Sequence, residues 1–154
     1  MIYYRCFTEG KNEMITLRQA INQEELEKAF KIRKTVFVIE QGVSEEIEYD
    51  GNDNKAIHIL AYEGEQPVGC ARMLPMEHGV KIGRVAVLKP YRGKGIGQNM
   101  CDSLTYIARE MKIEYVYLHA QASAKSFYEK IGFTVAGDGF YEADILHYKM
   151  EKTL

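Results

Sequence analysis

The sequence contains no long hydrophobic run; its limit is four apolar residues in a row, as in Val85-Ala86-Val87-Leu88. A membrane-spanning helix needs about 20 such residues and a secretory core at least about 7. Neither is expected, and no membrane partner is expected. Cysteine is scarce: Cys6, Cys70 and Cys101 cannot all pair, and none forms a C-x-x-C. Without an export signal they read as reduced thiols, which places the protein in the cytoplasm. Pro67, Pro75 and Pro90 are the only prolines, each where an element should begin or end. Neither sign of charge dominates. Twenty basic residues against twenty-two acidic ones give a net charge of −2 and a pI near 6.1. No whole-molecule field attracts nucleic acid, so any anion site must be local. Repeats, low-complexity stretches and linkers are absent. Metal-ligand spacing is absent too: the histidines do not pair with the cysteines, and the acidic stretch 45–53 lacks the calcium-loop ladder because Gly51 directly follows Asp50. No metal is expected.

What remains is 154 residues, 46% apolar and 27% charged. That suits one folded domain over residues 1–154, with 1–13 as an N-terminal extension. Ile2–Phe7 reads as an extra strand and Glu9-Gly10-Lys11-Asn12 as a turn; this hairpin could supply the edge of a homodimer. Ile15 and Leu17 alternate with polar neighbours as in a second strand. Asn22 followed by Glu25 is a capping box for a helix with Leu26, Ala29, Phe30 and Val36–Phe37 inward, ended by Gly42. Residues 40–55 read as an irregular segment or short helix whose acids form a solvated loop or attract a cationic amine. Ile57–Tyr62, Val68–Leu74 and Val80–Leu88 form a meander. Ile96, Met100, Leu104, Ile107 and Met111 then mark one face of an amphipathic helix. A strand at Tyr115–Leu118, a helix at Ser123–Ile131 closed by Gly132, and strands near Thr134–Ala136 and Ile145–Met150 complete the chain. The fold class is α/β or α+β: a mixed sheet with helices packed on it.

The most informative stretch runs from Arg84 to Gln98, where a buried strand enters a basic turn with glycines at 93, 95 and 97 and then opens a helix. Glycines permit a tight turn and leave backbone N–H groups unshielded. A helix N-terminus adds unpaired donors and partial positive charge, so the turn suits phosphate oxygens. Lys89, Arg92 and Lys94 supply charge-assisted contacts. It is not a Walker A loop, because neither Lys89 nor Lys94 of this stretch is followed by Ser or Thr, and its third glycine comes one position early for a dinucleotide fingerprint.

Arg92-x-x-Gly95-x-Gly97 resembles the Q/R-x-x-G-x-G/A signature of the GNAT superfamily of N-acetyltransferases. Ala124-Lys125-Ser126-Phe127-Tyr128-Glu129-Lys130-Ile131-Gly132-Phe133 resembles that family's A-x-x-x-Y-E-K-x-G-F segment, in the family's order. Val36–Gln41, the His58 strand, Gly83-Arg84-Val85 and Ala120-Gln121 are similar to the ElaA/YjcF-type branch. The resemblance implies a mostly antiparallel sheet with a central, splayed parallel pair, here Val80–Leu88 and Tyr115–Ala120, and helices on both faces. It implies acetyl-CoA as co-substrate, with pantetheine amides on the backbone of Val85, Ala86 and Val87. The pyrophosphate would sit on Arg92, Gly93, Lys94, Gly95, Ile96, Gly97 and Gln98. A separated strand pair leaves unpaired donors and acceptors that a peptide-like arm can satisfy. Gln121 stands where the family often has a cofactor-holding Asn.

Tyr128 matches the tyrosine that protonates the departing CoA thiolate; the lesser alternative is that it and Phe127 are simply core aromatics of a short helix. A phenol near pKa 10 faces an uphill transfer to a thiolate near 8.5, so its contribution lies in hydrogen bonding to developing charge. The glutamate that some members carry on the strand before the turn is replaced here by Lys81 and Arg84. His119 is the preferred general base because it ends the second splayed strand, with His58, His147, Glu142, the acids of 45–53 or a water chain as alternatives. Cys70 and Cys101 read as packing thiols. The expected reaction is acetyl transfer from acetyl-CoA to a small-molecule or peptide primary amine by direct attack in a ternary complex. A non-catalytic CoA or acyl-CoA binding module is the alternative, and a nucleotide-binding regulator a more distant one.

Overall fold

The computed structural model describes residues 4–7 and 14–154, with side chains from residue 14 onward. Among these residues nine strands form one sheet: β1 (Tyr4–Phe7), β2 (Met14–Gln19), β3 (Ile57–Glu63), β4 (Gln66–Pro75), β5 (Val80–Val87), β6 (Tyr115–Gln121), β7 (Thr134–Val135), β8 (Phe140–Glu142) and β9 (Ile145–Thr153). Their order is β1-β2-β3-β4-β5-β6-β9-β7, with β8 also on β9. Every pairing is antiparallel except β5 with β6. The expected meander is β3-β4-β5. The extra strand is present as Tyr4–Phe7 at the sheet edge; Ile2, Tyr3 and the turn expected at 9–12 lie outside the described residues. β8 was not anticipated.

Local signals set the helices. Helix α1 (Gln23–Arg33) is capped by Asn22, whose side chain accepts the Glu25 N–H at 2.9 Å. The Glu25 carboxylate reaches back to the Ile21 N–H at 2.8 Å, one residue beyond the usual box. The element continues as a wider π-helical run over Lys34–Glu40 and stops before Gly42, at φ +73°. Sequence periodicity found the end but not the change of pitch. A single turn, α2 (Glu45–Glu48), is capped by Ser44. Helix α3 (Ile96–Glu110) begins after Gly95 and buries Ile96, Met100 and Leu104 as expected; Met111 falls past its end and is 49% exposed. Helix α4 (Lys125–Lys130) follows a 3₁₀ turn at Ala122–Ala124.

The helices cover both faces. α3 packs on a core containing Met73, Ile82, Val116, Leu118 and Met150, whereas α1 packs on Leu60, Tyr62, Cys70 and Ala86. Strand alternation makes this possible, since neighbours along one strand point to opposite faces.

The feature that positions the site is a parting of the central strands. β5 and β6 pair only over Val80↔Val116, Lys81↔Tyr117 and Ile82↔Leu118. Beyond Ile82, β5 remains with β4 while β6 remains with β9. The divergence coincides with a β-bulge. Arg72 faces Gly83 and Cys70 faces Ala86, so Arg84 and Val85 together stand opposite Ala71. Arg84 takes a left-handed backbone, φ +52°, unusual for a residue with a Cβ. An extra residue on one strand bends it and sharpens its twist, which turns β5 away from β6. At the closed end, Gly79 holds φ +77° and a Cβ there would run into the Tyr115 carbonyl oxygen.

Candidate active site

Two cavities meet in the gap between the strands. One, of about 440 Å³, lies over the parted ends of β5 and β6 and reaches the π-helical segment. The second, of about 450 Å³, lies at the glycine-rich turn. Val85, Val87, Arg92, Ala124 and Tyr128 line both.

At the turn, Gly93 and Gly95 hold φ +78° and +80°, the conformation that favours glycine. A Cβ on Gly97 would come 3.3 Å from the Phe127 ring, so that position needs a small residue for packing. Ile96, Gly97 and Gln98 form the first turn of α3, where N–H groups have no intrahelical partner. Arg92, Gly93, Gly95, Ile96, Gly97 and Gln98 all line the second cavity. Lys94 does not; its ammonium sits 5.5 Å from the centre of the Tyr91 ring.

The three β5 residues expected at the gap differ in orientation. The Leu88 N–H bonds to the Val68 carbonyl at 2.9 Å, which by the antiparallel alternation turns Ala86 toward β4 and Val87 toward the gap. The Val87 carbonyl accepts from Arg92 Nε at 2.8 Å, while Arg92 Nη2 pairs with Glu40 at 2.8 Å. On the opposite wall Gln121 Nε2 donates to Gln41 Oε1 at 2.6 Å. The end of the π-helical run therefore contacts both sides of the gap.

Tyr128 stands where the cavities join. Its ring packs edge-on against Phe127 (4.9 Å) and Phe133 (6.0 Å). Burial pushes its phenol well above the ordinary value, so it remains a proton-bearing donor at any working pH.

At the far wall of the first cavity lie Lys81, His119, Glu142 and His147. His119 Nδ1 bonds to Glu142 Oε1 at 2.8 Å, leaving Nε2 as its other ring nitrogen. Burial and the Lys81 charge pull the imidazole below its ordinary value, against the raising effect of Glu142. The carboxylate is delivered by the β8–β9 hairpin, whose turn residues Ala143 and Asp144 are both left-handed (φ +49° and +61°). His147 Nδ1–H donates to its neighbour's carbonyl at Ile145, 2.7 Å. Lys81 was noted in the sequence only for not being a glutamate. Its ammonium is half-buried, and burial lowers its pKa.

The acidic segment is only partly solvated: Glu45 and Glu46 are exposed, whereas Glu48, Asp50 and Asp53 meet arginines. Arg33, 1% exposed, holds Glu48 Oε1 and Asp53 Oδ1, each at 2.6 Å. Arg72 holds Asp50 through two bonds of 2.8 and 2.9 Å and Asp53 at 3.2 Å. Arg84 reaches Glu48 at 3.2 Å and Asp50 at 3.5 Å. Charges left unpaired in the interior would cost several kcal/mol each, which is why these acids fold inward onto arginines. His58 joins this cluster through the Asp53 carbonyl at 2.8 Å and does not line the gap. Sequence spacing gave no sign of it, because its arginines come from three separate elements. Cys70 and Cys101 are buried, and burial pushes both thiols up to about 12, so they are packing residues.

The chain has relatives in sequence and in fold. The profile of the acetyltransferase (GNAT) domain matches residues 10–154. The uncharacterized N-acetyltransferase YjcF of Bacillus subtilis is 38% identical over 134 residues, 86% of this chain and 96% of that protein. Protein ElaA of Escherichia coli is 32% identical over 127 residues, 79% of this chain and 83% of its own. The crystal structure of Escherichia coli ElaA superimposes with a TM-score of 0.81, at 28% identity over 90% of this chain and 99% of that one.

Proposed function

Because the chain belongs to the GNAT acetyltransferases, we propose that it moves the acetyl group of acetyl-CoA onto a primary amine by direct attack in a ternary complex. The observation that carries this reading is the loss of β5–β6 pairing after Ile82 and Leu118, with a glycine-rich helix start at the mouth of the gap. A pantetheine arm can pair with the peptide edge that β5 turns toward the gap, at Val87 beside the Val85 bulge. The first N–H groups of α3 and the Arg92 guanidinium suit a diphosphate. In this reading Gln121 borders the arm from β6.

The acceptor reaches the thioester from the first cavity. The ammonium first gives one proton to solvent, and His119 Nε2, in a neutral imidazole oriented by Glu142, takes a second as the nitrogen attacks. The nitrogen lone pair forms the C–N bond and the C–S bond breaks. Tyr128 donates a hydrogen bond to the sulfur as charge develops there; its raised pKa favours donation over complete proton transfer. The products are the amide and CoA, which ends as the thiol once the proton held by His119 returns through solvent.

Calorimetry with acetyl-CoA tests the cofactor half. Gly95→Asp places a carboxylate in the cradle at a position where the backbone is left-handed, and it should abolish binding while circular dichroism stays that of the parent and the melting temperature falls by only about 2–4 °C, the scale of one strained residue. Unaltered binding would remove the turn from the mechanism. Thiol release with a panel of amines tests the transfer half, since a protein that only binds CoA shows none.

A further inference from the structure

We propose that the acceptor amine also carries an oxyanion, a carboxylate or a phosphate, and that Lys81 holds this group while the amine is presented to His119. The inference rests on the acetyl-transfer reading and specifies its second substrate.

The charges around the first cavity lead there by elimination of those already engaged. Glu48 is held by Arg33 and Arg84, and Arg92, paired with Glu40, stands at the glycine-rich turn on the diphosphate side. The acids of the 45–53 segment that point inward are matched by arginines, so no spare negative field receives a polycationic amine. Two charges remain on the far wall. Glu142 is bonded to His119, and Lys81 has no carboxylate within ion-pair distance among the described residues.

Position supports the same assignment. Lys81 lies in parallel register with Tyr117, and His119 is two residues further along β6, so both side chains project from the same face of the sheet. Lys81 lines the first cavity and not the one at the glycine-rich turn, so its charge is placed for the acceptor rather than for the diphosphate. A half-buried ammonium that feels Glu142 only at a distance and has no direct ion pair among the described residues gains most from an anion brought into the site, where water is partly excluded and charge-assisted hydrogen bonds are strongest.

The test uses the full chain with acetyl-CoA at about pH 8, where the His119 imidazole is neutral with or without Lys81. Matched pairs serve as acceptors: α-amino acids against their methyl esters, and aminoalkyl phosphates against the parent amino alcohols. The parent protein should prefer the charged member by about tenfold or more in kcat/KM, the scale of one charge-assisted contact. Whichever pair shows the preference identifies the oxyanion as carboxylate or phosphate. Lys81→Met should bring that ratio close to one, chiefly through acceptor KM, and Lys81→Arg should restore it, with acetyl-CoA affinity unchanged in both. Equal use of the neutral members, a preference that survives in Lys81→Met, or no turnover of any charged amine overturns the proposal. Acetyl-CoA binding measured alongside separates the two levels: bound cofactor without the preference defeats this inference alone, and no bound cofactor defeats the transferase reading with it.

Discussion

Arg84 Nε lies 3.2 Å from Glu48 Oε1, so the residue whose backbone stands at the bulge between β5 and β4 is anchored to the turn of helix walling the first cavity. Its second anchor is the Glu48 carbonyl, 3.1 Å from Nη2. The strand gap and the wall of the first cavity thus share one arginine.

The left-handed backbone at this position sets an order among substitutions. Arg84→Gly tolerates φ +52° and loses only the side-chain bonds, whereas Arg84→Val loses the same bonds and adds backbone strain. Urea unfolding should find the valine variant less stable than the glycine variant by about 1 kcal/mol or more. Equal stabilities would show that the conformation carries no cost.

Arg33 is the most enclosed cation of the cluster, 1% exposed and bonded to Glu48 and Asp53. Arg33→Met leaves those carboxylates short of their partner in the interior, and should cost about 3–5 kcal/mol by chemical denaturation. A loss below about 1 kcal/mol would mean that Arg84 and Arg72 compensate fully.

Activity should depend on pH through His119. The base must be neutral, and burial with the Lys81 charge lowers its pKa, so the acid limb of kcat/KM should fall below pH 6.5. Glu142 raises that pKa, so Glu142→Gln should move the limb to still lower pH while reducing the rate. Lys81 lowers it, so Lys81→Met should move the limb upward. The opposite directions, or a limb unmoved by either change, would exclude His119 as the titrating base.

Tyr128→Phe retains the ring that packs on Phe127 and Phe133 and removes only the hydroxyl. The expected result is a fall in kcat of roughly 10²-fold, with acetyl-CoA KM and melting temperature close to the parent. An unchanged kcat would reduce Tyr128 to a core aromatic.

Much of the framework was legible because it depends on short-range rules. Asn22 and Glu25 announce the start of α1, Gly42 the end of the π-helical run that continues it, and the change from period two to period 3.6 at Ile96 marks α3. The glycine-rich turn was legible for the same reason, since Gly93 and Gly95 act through their own left-handed backbones. The acceptor wall was not. Glu142 reaches His119 through a two-residue hairpin with Ala143 and Asp144 left-handed, and lacks the Asn-Gly or Asp-Gly pair that would have signalled it. The ionic cluster joins α1, β4 and β5 to residues 48–53, a convergence set by topology rather than by spacing. The bulge at Arg84 was equally silent, because nothing in an arginine announces a positive φ.

A crystal structure of the protein with CoA tests the central claim most directly, that the parted strands and the glycine-rich turn form one cofactor site. The account predicts the pantetheine arm between β5 and β6, bonded to the backbone at Val85 and Val87, the diphosphate on residues 92–98, and the sulfur beside the Tyr128 hydroxyl. CoA bound elsewhere, or a β5–β6 ladder closed past Ile82 and Leu118 with the ligand present, would contradict it.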